Sequence, residues 1–174
     1  TEIMTKAMNA FKKPILAMIE GYCVGGGVAT AIACDMRIAT KDTKYGIPAA
    51  KLGLAYGFDN LRQLVELVGP SNAKRILFTG DLIDADDAHR IGLVDELCAL
   101  DELEDKVLSI ADKISANAPL TVLASKETVK HVLRPEIRDH QKLKEMAKIC
   151  FDSDDYREGR EAFMEKRKPE FKGR

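Results

Sequence analysis

Short apolar runs separated by glycines dominate the first hundred residues, whereas the later residues show the periodicity of amphipathic helices. Residues 15–19 form an apolar run after Pro14, of the length expected for a buried strand. An alanine-rich run without proline follows Gly25–Gly27 and predicts a buried helix over 27–34. A second strand is predicted over 36–39. Strand, glycine turn, helix and strand in this order indicate an α/β fold.

The rest of the chain is predicted to be mostly helical. Apolar residues recur at helical spacing over 61–68, and Asp84 is placed to cap a short helix that Gly92 ends. The change of pattern near Leu100 divides the chain into a core region and a helical tail, which we place at residues 1–98 and 99–174. In the tail, helices are predicted over 103–114, 119–132, 135–151 and 156–166.

Composition excludes several classes of protein. The chain has 174 residues, of which 45% are hydrophobic, and this apolar fraction is too high for an intrinsically disordered chain. Its 27 basic and 28 acidic residues leave a net charge of -1, so no overall field attracts nucleic acid or an anionic membrane. The longest strongly apolar stretch, 28–33, is far shorter than the roughly 20 residues that a membrane span needs. We therefore expect a soluble protein that binds neither nucleic acid nor a membrane.

The cysteines and histidines predict neither a metal site nor a disulfide framework. The 4 cysteines are far apart with no C-x-x-C pair, and the 3 histidines have no spacing that joins them on one helix face. Scattered thiols of this kind are typical of a reducing compartment. We expect a cytoplasmic protein, or one of the mitochondrial matrix if the source is eukaryotic.

The segment most informative about chemistry is 21–27, whose glycines lie between a predicted strand and a predicted helix. Free N–H groups at such a turn can hold a phosphate or a developing oxyanion. No Walker-type Lys-Ser or Lys-Thr follows, and the dinucleotide pattern G-x-G-x-x-G is absent. An oxyanion hole needs only backbone N–H groups aimed at a carbonyl oxygen. Tight helix packing also explains three glycines, and the spacing alone does not decide between these two interpretations.

Eight segments distributed along the chain carry a resemblance to known proteins: 14–21, 25–27, 34–39, 45–48, 52–54, 77–80, 88–95 and 162–168. Each segment is unspecific alone, but their order and spacing are specific at the level of a superfamily. Taken together, they resemble the crotonase superfamily, typified by enoyl-CoA hydratase, over essentially the whole chain.

The resemblance implies a fold, an assembly and a substrate class. The fold would be a crotonase-like spiral of ββα units, of which residues 1–98 form the C-terminal portion, with a C-terminal helical trimerisation region. The assembly would be a homotrimer or a dimer of trimers. The substrate would be an acyl-CoA thioester, so coenzyme A enters as part of the substrate and no other cofactor is expected.

The resemblance also assigns roles to residues. Gly26 would supply one of two backbone N–H groups that bind the thioester oxygen as it becomes an enolate, with Gly25 and Gly27 beside the substrate. Phe163 and Lys166 match positions that contact the adenine and phosphates of coenzyme A. The segment that bears the other oxyanion N–H precedes the matched region in the family, so we expect this chain to lack the N-terminal part of the fold.

Two alanines depart from the hydratase pattern. Hydratases of this family place one glutamate two residues after the triple glycine and another directly after the G-x-P turn, where Ala29 and Ala49 stand here. Alanine can neither take nor give a proton, and general acid–base help contributes roughly 10²- to 10⁴-fold per positioned group. The usual hydratase route, and the isomerase route whose base matches Ala49, are therefore disfavoured.

Three functional hypotheses follow. The first is a lyase or isomerase of the enoyl-CoA hydratase/isomerase family that uses Gly26, with proton transfer by Tyr56, Asp59 or a bound water. The second is a lyase similar to methylmalonyl-CoA decarboxylases, whose active-site tyrosine matches Tyr56 and whose tail resembles residues 150–168. That tail pattern also occurs in hydratases, and Tyr56 can equally be an aromatic residue that packs under its loop. The third is a catalytically inactive acyl-CoA-binding protein.

Overall fold

The computed structural model describes residues 2–174, apart from the side chains of residues 2, 3 and 5. Thr1, the first residue of the predicted core region, lies outside the described residues. The chain forms two compact units. The first, here called the core unit, ends at Leu108, and the second, the helical unit, consists of residues 12–14 and 109–174.

The core unit alternates short strands with helices. Its helix α4 contains the non-helical residue Gly69, at φ 73°, which separates two helical segments just before Pro70. The elements of the core unit, in chain order, are α1 (Glu2–Ala10), β1 (Leu16–Ile19), β2 (Tyr22–Val24), α2 (Gly26–Ile32), β3 (Met36–Thr40), β4 (Lys44–Gly46), α3 (Ala49–Leu52), α4 (Phe58–Thr79), β5 (Ile83–Asp84), α5 (Ala85–Arg90), β6 (Glu96–Cys98) and a 3-10 turn (Leu100–Glu102).

Successive strands enter two different sheets. One sheet has the order β1-β3-β6 and is parallel throughout, with Leu16 beside Met36. The other has the order β2-β4-β5, in which β2 and β4 are parallel and β4 and β5 are antiparallel. The first two turns of the chain thus each add one strand to each sheet and then helical structure, and the last strands, β5 and β6, enter the two sheets before and after α5. This arrangement confirms the predicted α/β spiral of ββα units.

The structure contains three elements of the core unit that the sequence pattern did not predict. They are helix α1 and the strands β2 and β4. Strands β2 and β4 have three residues each and pair with one another, so their stability comes from a partner far away in sequence rather than from a local apolar pattern.

Apolar side chains from both sheets and from α2, α4 and α5 fill the interior of the core unit. Ile47, Leu64 and Ala88 have no exposed surface. Asp84 accepts a hydrogen bond from the Asp87 N–H at 2.8 Å and caps α5, as the sequence predicted. The buried face of each helix therefore fixes the position of the helix on the sheets. The loop that precedes the helix is positioned in the same way.

One charged side chain lies inside this core. Arg37 is 3% exposed and forms an ion pair with Asp95 at 2.8 Å between Nη2 and Oδ2. Its Nε donates to the Leu93 carbonyl at 3.0 Å, and its Nη1 donates to the Cys34 carbonyl at 2.9 Å. The Asp95 carboxylate also accepts from the Arg37 backbone N–H at 2.6 Å. Each of the three guanidinium nitrogens of Arg37 thus has a partner that replaces lost water.

The helical unit is built from four longer helices. The predicted single helix over 135–151 is in fact a 3-10 turn followed by α8, because Asp139 accepts from the Lys142 N–H at 2.9 Å and starts a new helix. Helix α6 begins in the core unit and ends in this one. The elements are α6 (Leu103–Ser115), α7 (Pro119–Leu133), a 3-10 turn (Pro135–Ile137), α8 (His140–Asp152) and α9 (Asp154–Glu165). Among residues 2–174, no helix is both long and apolar enough to cross a membrane.

Residues 167–174, here called the C-terminal strap, are held against the start of α9. The buried carboxylate of Asp155 accepts from the backbone N–H groups of Lys172 at 2.6 Å and Gly173 at 2.8 Å. In return, the Arg174 carbonyl accepts from the Asp154 N–H at 2.8 Å. Further along α9, the Arg167 guanidinium and the Glu170 N–H lower the pKa of Glu158 to about 2. The strap is therefore fastened at two places by charged hydrogen bonds.

Replacing Asp155 by alanine is expected to release the end of the strap. The Lys172 and Gly173 amides would lose a charged acceptor, and hydrogen bonds to charged groups contribute about 1.5–3 kcal/mol each. Amide hydrogen exchange at these two residues should become at least about tenfold faster. Asp152→Ala is the matched control, because Asp152 is exposed and pairs with Lys148. Equal exchange in both variants would contradict the proposed fastening.

Candidate active site

The triple-glycine turn joins β2 to α2 in the core unit. Gly25 is the cap residue before α2, at φ 54° and ψ -108°, a conformation that a residue with a Cβ rarely adopts. Its N–H donates to the Gly46 carbonyl on β4 at 2.8 Å, and its carbonyl accepts from the Ala29 N–H at 3.1 Å. The turn is thus fixed on one side by the sheet and on the other by the helix.

The start of α2 is open at Gly26. A Cβ built on Gly25 or Gly26 would meet no heavy atom within 4 Å, and both Gly26 and Gly27 are exposed. The Gly26 N–H occupies the first helical position, where no intrahelical acceptor exists, and no acceptor bonds it within residues 2–174. The structure therefore places an unused backbone donor at an unobstructed surface, at the position predicted from the sequence.

Tyr56 reaches the same turn from the loop before α4. Its hydroxyl donates to the Gly25 carbonyl at 3.2 Å, and its ring packs against the core. Burial raises the pKa of Tyr56 to about 12, with a smaller contribution from Cys23. The hydroxyl therefore keeps its proton in the neutral range and acts as a hydrogen-bond donor. The structure brings Tyr56 and the triple glycine together, as expected for residues of one site.

Asp59 is placed differently from Tyr56. Its side chain is 74% exposed, and its carboxylate accepts from the Arg62 guanidinium at 2.9 Å. This is an ordinary ion pair within one turn of α4. In the described structure Tyr56, rather than Asp59, contacts the glycine turn. A catalytic role for Asp59 remains a prediction without a supporting contact.

Ala29 and Ala49, the alanines that the resemblance sets against hydratase glutamates, lie in the same unit. Ala29 is 2% exposed, so its methyl group belongs to the interior beneath the turn. Ala49 begins α3 and is half-buried against the core. Neither position offers a group that could take or give a proton. The local chemistry of the turn is that of a hydrogen-bond donor, with no carboxylate at either position.

Cys23 lies beneath the turn and was not expected there. A Cβ added to Gly27 would lie 3.7 Å from the Cys23 sulfur. Burial raises the pKa of this thiol to about 11, so it stays neutral. Within the part of the chain that the structure describes, no group of three or more His, Cys, Asp or Glu residues could hold a metal ion. The Cys23 thiol and the Tyr56 hydroxyl are therefore both neutral groups beside the turn.

The two residues expected to contact coenzyme A lie in the helical unit. Phe163 is 82% exposed on α9 and lines an apolar cavity of about 950 Å³ with residues of α7 and α8. Lys166 caps α9 at φ 55° and is exposed. Their contact with coenzyme A stays a prediction, as does the assembly into trimers.

Known proteins match this chain along its length. A model of the enoyl-CoA hydratase/isomerase family matches residues 2–174. The chain belongs to this family. A crotonyl-CoA hydratase from Syntrophomonas wolfei is 38% identical over 167 residues, which cover 95% of this chain and 64% of that protein. The methylmalonyl-CoA decarboxylase of Escherichia coli is 31% identical over 175 residues, which cover 98% of this chain and 66% of that protein.

Solved structures of the family share the fold. A crystal structure of an enoyl-CoA hydratase/carnithine racemase from Magnetospirillum magneticum superposes with a TM-score of 0.91 at 34% identity, covering 98% of this chain and 63% of that one. The family and the crotonase fold predicted from the sequence are therefore both confirmed. The chain spans less than two thirds of the length of the crotonyl-CoA hydratase that it resembles.

Proposed function

We propose that this member of the enoyl-CoA hydratase/isomerase family processes acyl-CoA thioesters by stabilising a thioester enolate at the Gly26 N–H. The observation that carries the proposal is the donor itself, which is unbonded, exposed and fixed by a turn held at both ends. The relatives named as acyl-CoA hydratases and decarboxylases support the substrate class.

The chemistry follows from where charge develops. When a thioester forms an enolate, negative charge moves onto its carbonyl oxygen, and a donor already aimed at that oxygen need not reorganise. One such donor contributes about 10²- to 10³-fold to the rate. The family resemblance implies a second donor, from a segment that precedes the matched region in the family. Because α2 has only seven residues, the N–H group matters more here than the dipole of the helix.

A finer proposal is decarboxylation of a malonyl-type thioester. In that step the bond between Cα and the carboxylate carbon breaks, CO₂ leaves, and the electron pair forms the enolate. Water then returns a proton to Cα. No base is required before the enolate forms, which suits a turn flanked by Ala29 and Ala49. A methylmalonyl-CoA decarboxylase is among the relatives at 31% identity, but a crotonyl-CoA hydratase is more similar at 38%. It is therefore the alanines at positions 29 and 49, and not the degree of similarity, that favour this reaction over hydration.

Turnover of two substrates tests the proposal. Crotonyl-CoA reports hydration through its thioester absorbance, and methylmalonyl-CoA reports decarboxylation through released CO₂. We expect CO₂ release, with hydration at least about 100-fold slower because both acid–base groups are absent.

Calorimetry with both thioesters separates the remaining outcomes. Heat of binding without any turnover would identify a non-catalytic acyl-CoA-binding protein and would contradict the enzymatic proposal. If both thioesters give no heat of binding and no turnover, the proposed substrate class is overturned as well. Fast hydration of crotonyl-CoA would overturn the decarboxylase proposal and leave the enolate proposal standing.

A further inference from the structure

We infer that Tyr56 is a positioning residue for the oxyanion donor, acting through the peptide group that joins Gly25 to Gly26. The inference rests on the proposed function and deepens it. It assigns Tyr56 no contact with the substrate. What it assigns is control over the direction and strength of one backbone N–H group.

The hydrogen bond from Tyr56 and the proposed oxyanion donor involve the same peptide group. The Gly25 carbonyl and the Gly26 N–H belong to one planar trans unit, so they point in opposite directions and move together. The carbonyl accepts from the Tyr56 hydroxyl at 3.2 Å and from the Ala29 N–H at 3.1 Å. Two donors therefore hold one end of the unit, and the other end presents the free N–H group to solvent.

The peptide needs this restraint because glycines flank it. Gly25 has a positive φ, and Gly26 carries no side chain that could pack and limit its motion. Helix α2 restrains the carbonyl through Ala29 alone, at its first turn. The hydroxyl of Tyr56 comes from a separate loop and adds a second direction of restraint. Rotation of the peptide would then have to break two hydrogen bonds.

The same contact strengthens the donor. A hydrogen bond to a carbonyl polarises the peptide and makes its N–H group a stronger donor. The hydrogen bond that this N–H group then makes is strengthened by about 10–30%. The hydroxyl is always available for this contact, because burial raises the pKa of Tyr56 to about 12. Its proton is committed to the Gly25 carbonyl, which distinguishes this role from proton transfer to a substrate.

The vibrational frequency of a bound thioester carbonyl tests this inference. The probe is butyryl-CoA labelled with ¹³C at the carbonyl carbon, which has no double bond to hydrate. Infrared difference spectra are recorded for the wild-type protein, Tyr56→Phe and Tyr45→Phe. Tyr45→Phe is the control. It also removes a tyrosine hydroxyl from the core cluster, but the Tyr45 hydroxyl does not contact the Gly25 carbonyl.

The expected results differ between the variants. The wild-type protein and Tyr45→Phe should lower the carbonyl frequency equally, and Tyr56→Phe should reduce that shift by about 10–30%. With a substrate that is turned over, Tyr56→Phe should lower kcat about fivefold with little change in KM, the value for one lost neutral hydrogen bond. A purely structural role would instead change thermal stability and leave the frequency shift unaltered.

The outcomes separate the two proposals. If the wild-type protein binds the probe without lowering its carbonyl frequency, or does not bind it, the proposed function fails. If the shift is present and identical in Tyr56→Phe, the proposed function stands and the positioning role is overturned. NMR of the ligand-free protein gives a further readout, since loss of the hydroxyl should move the Gly26 amide resonance in Tyr56→Phe and leave it in place in Tyr45→Phe. An unmoved Gly26 resonance in Tyr56→Phe would also overturn the role.

Discussion

Replacing Gly26 by proline should lower kcat/KM toward the preferred thioester by about 10²- to 10³-fold, the loss expected for one oxyanion donor. Proline has no N–H group, so the substitution deletes the proposed donor. The fold should tolerate it, since Gly26 is the first residue of α2, a position that proline favours. A Cβ added at Gly26 would also meet no heavy atom within 4 Å. The measurement is steady-state kinetics, with the thermal midpoint recorded for each variant.

Gly26→Ala is the matched control for this substitution. Alanine keeps the N–H group, and its Cβ would meet no heavy atom within 4 Å. The ratio of kcat/KM between the alanine and proline variants therefore reports the donor rather than the added bulk. Equal kcat/KM values in the two variants, both folded, would show that the Gly26 N–H plays no part in the reaction.

Replacing Arg37 by methionine should lower the free energy of unfolding by about 3 kcal/mol, at the lower end of the range for broken buried ion pairs. Methionine fills most of the volume but leaves the Leu93 and Cys34 carbonyls without their donor. It also removes the cation from Asp95, whose side chain is 33% exposed and thus keeps some water. Urea denaturation followed by circular dichroism gives the difference directly.

Lys51→Met is the matched control for the buried pair. Lys51 pairs with Asp81 at 2.7 Å, with side chains that are 55% and 68% exposed. Exposed pairs of this kind contribute about 0–1 kcal/mol. A loss in Arg37→Met no larger than that in Lys51→Met would mean that the buried network contributes nothing to stability.

The sequence predicted those elements whose signals are local. Strand β1 is an uninterrupted apolar run, and the start of α2 coincides with the triple glycine. Helix α5 has its cap at Asp84. Strands β2 and β4 escaped prediction, because three residues are too few to show an alternating pattern and each strand contains a polar or exposed residue. No sequence repeat marks the spiral either, although successive units repeat in structure.

The candidate site also contains some features that the local sequence could predict and others that it could not. The free N–H of Gly26 could be predicted, because the first N–H groups of a helix lack intrahelical acceptors and the family resemblance gave the triple glycine a role. The bond from Tyr56 to Gly25 could not, because it joins positions 31 residues apart through a loop without regular structure. The burial of Cys23 beneath Gly27 likewise depends on the pairing of β2 with β4. Contacts made by tertiary packing leave no trace in local spacing.

The buried guanidinium of Arg37 also has a consequence for folding kinetics. Its bond to Leu93 joins residues 56 positions apart, so a long loop must close before the contact can form. We expect this contact to assemble after the rate-limiting barrier, because the loop must close first, and it then slows unfolding without accelerating folding. We therefore expect Arg37 to govern how long the folded protein persists, rather than how quickly a new chain acquires its shape.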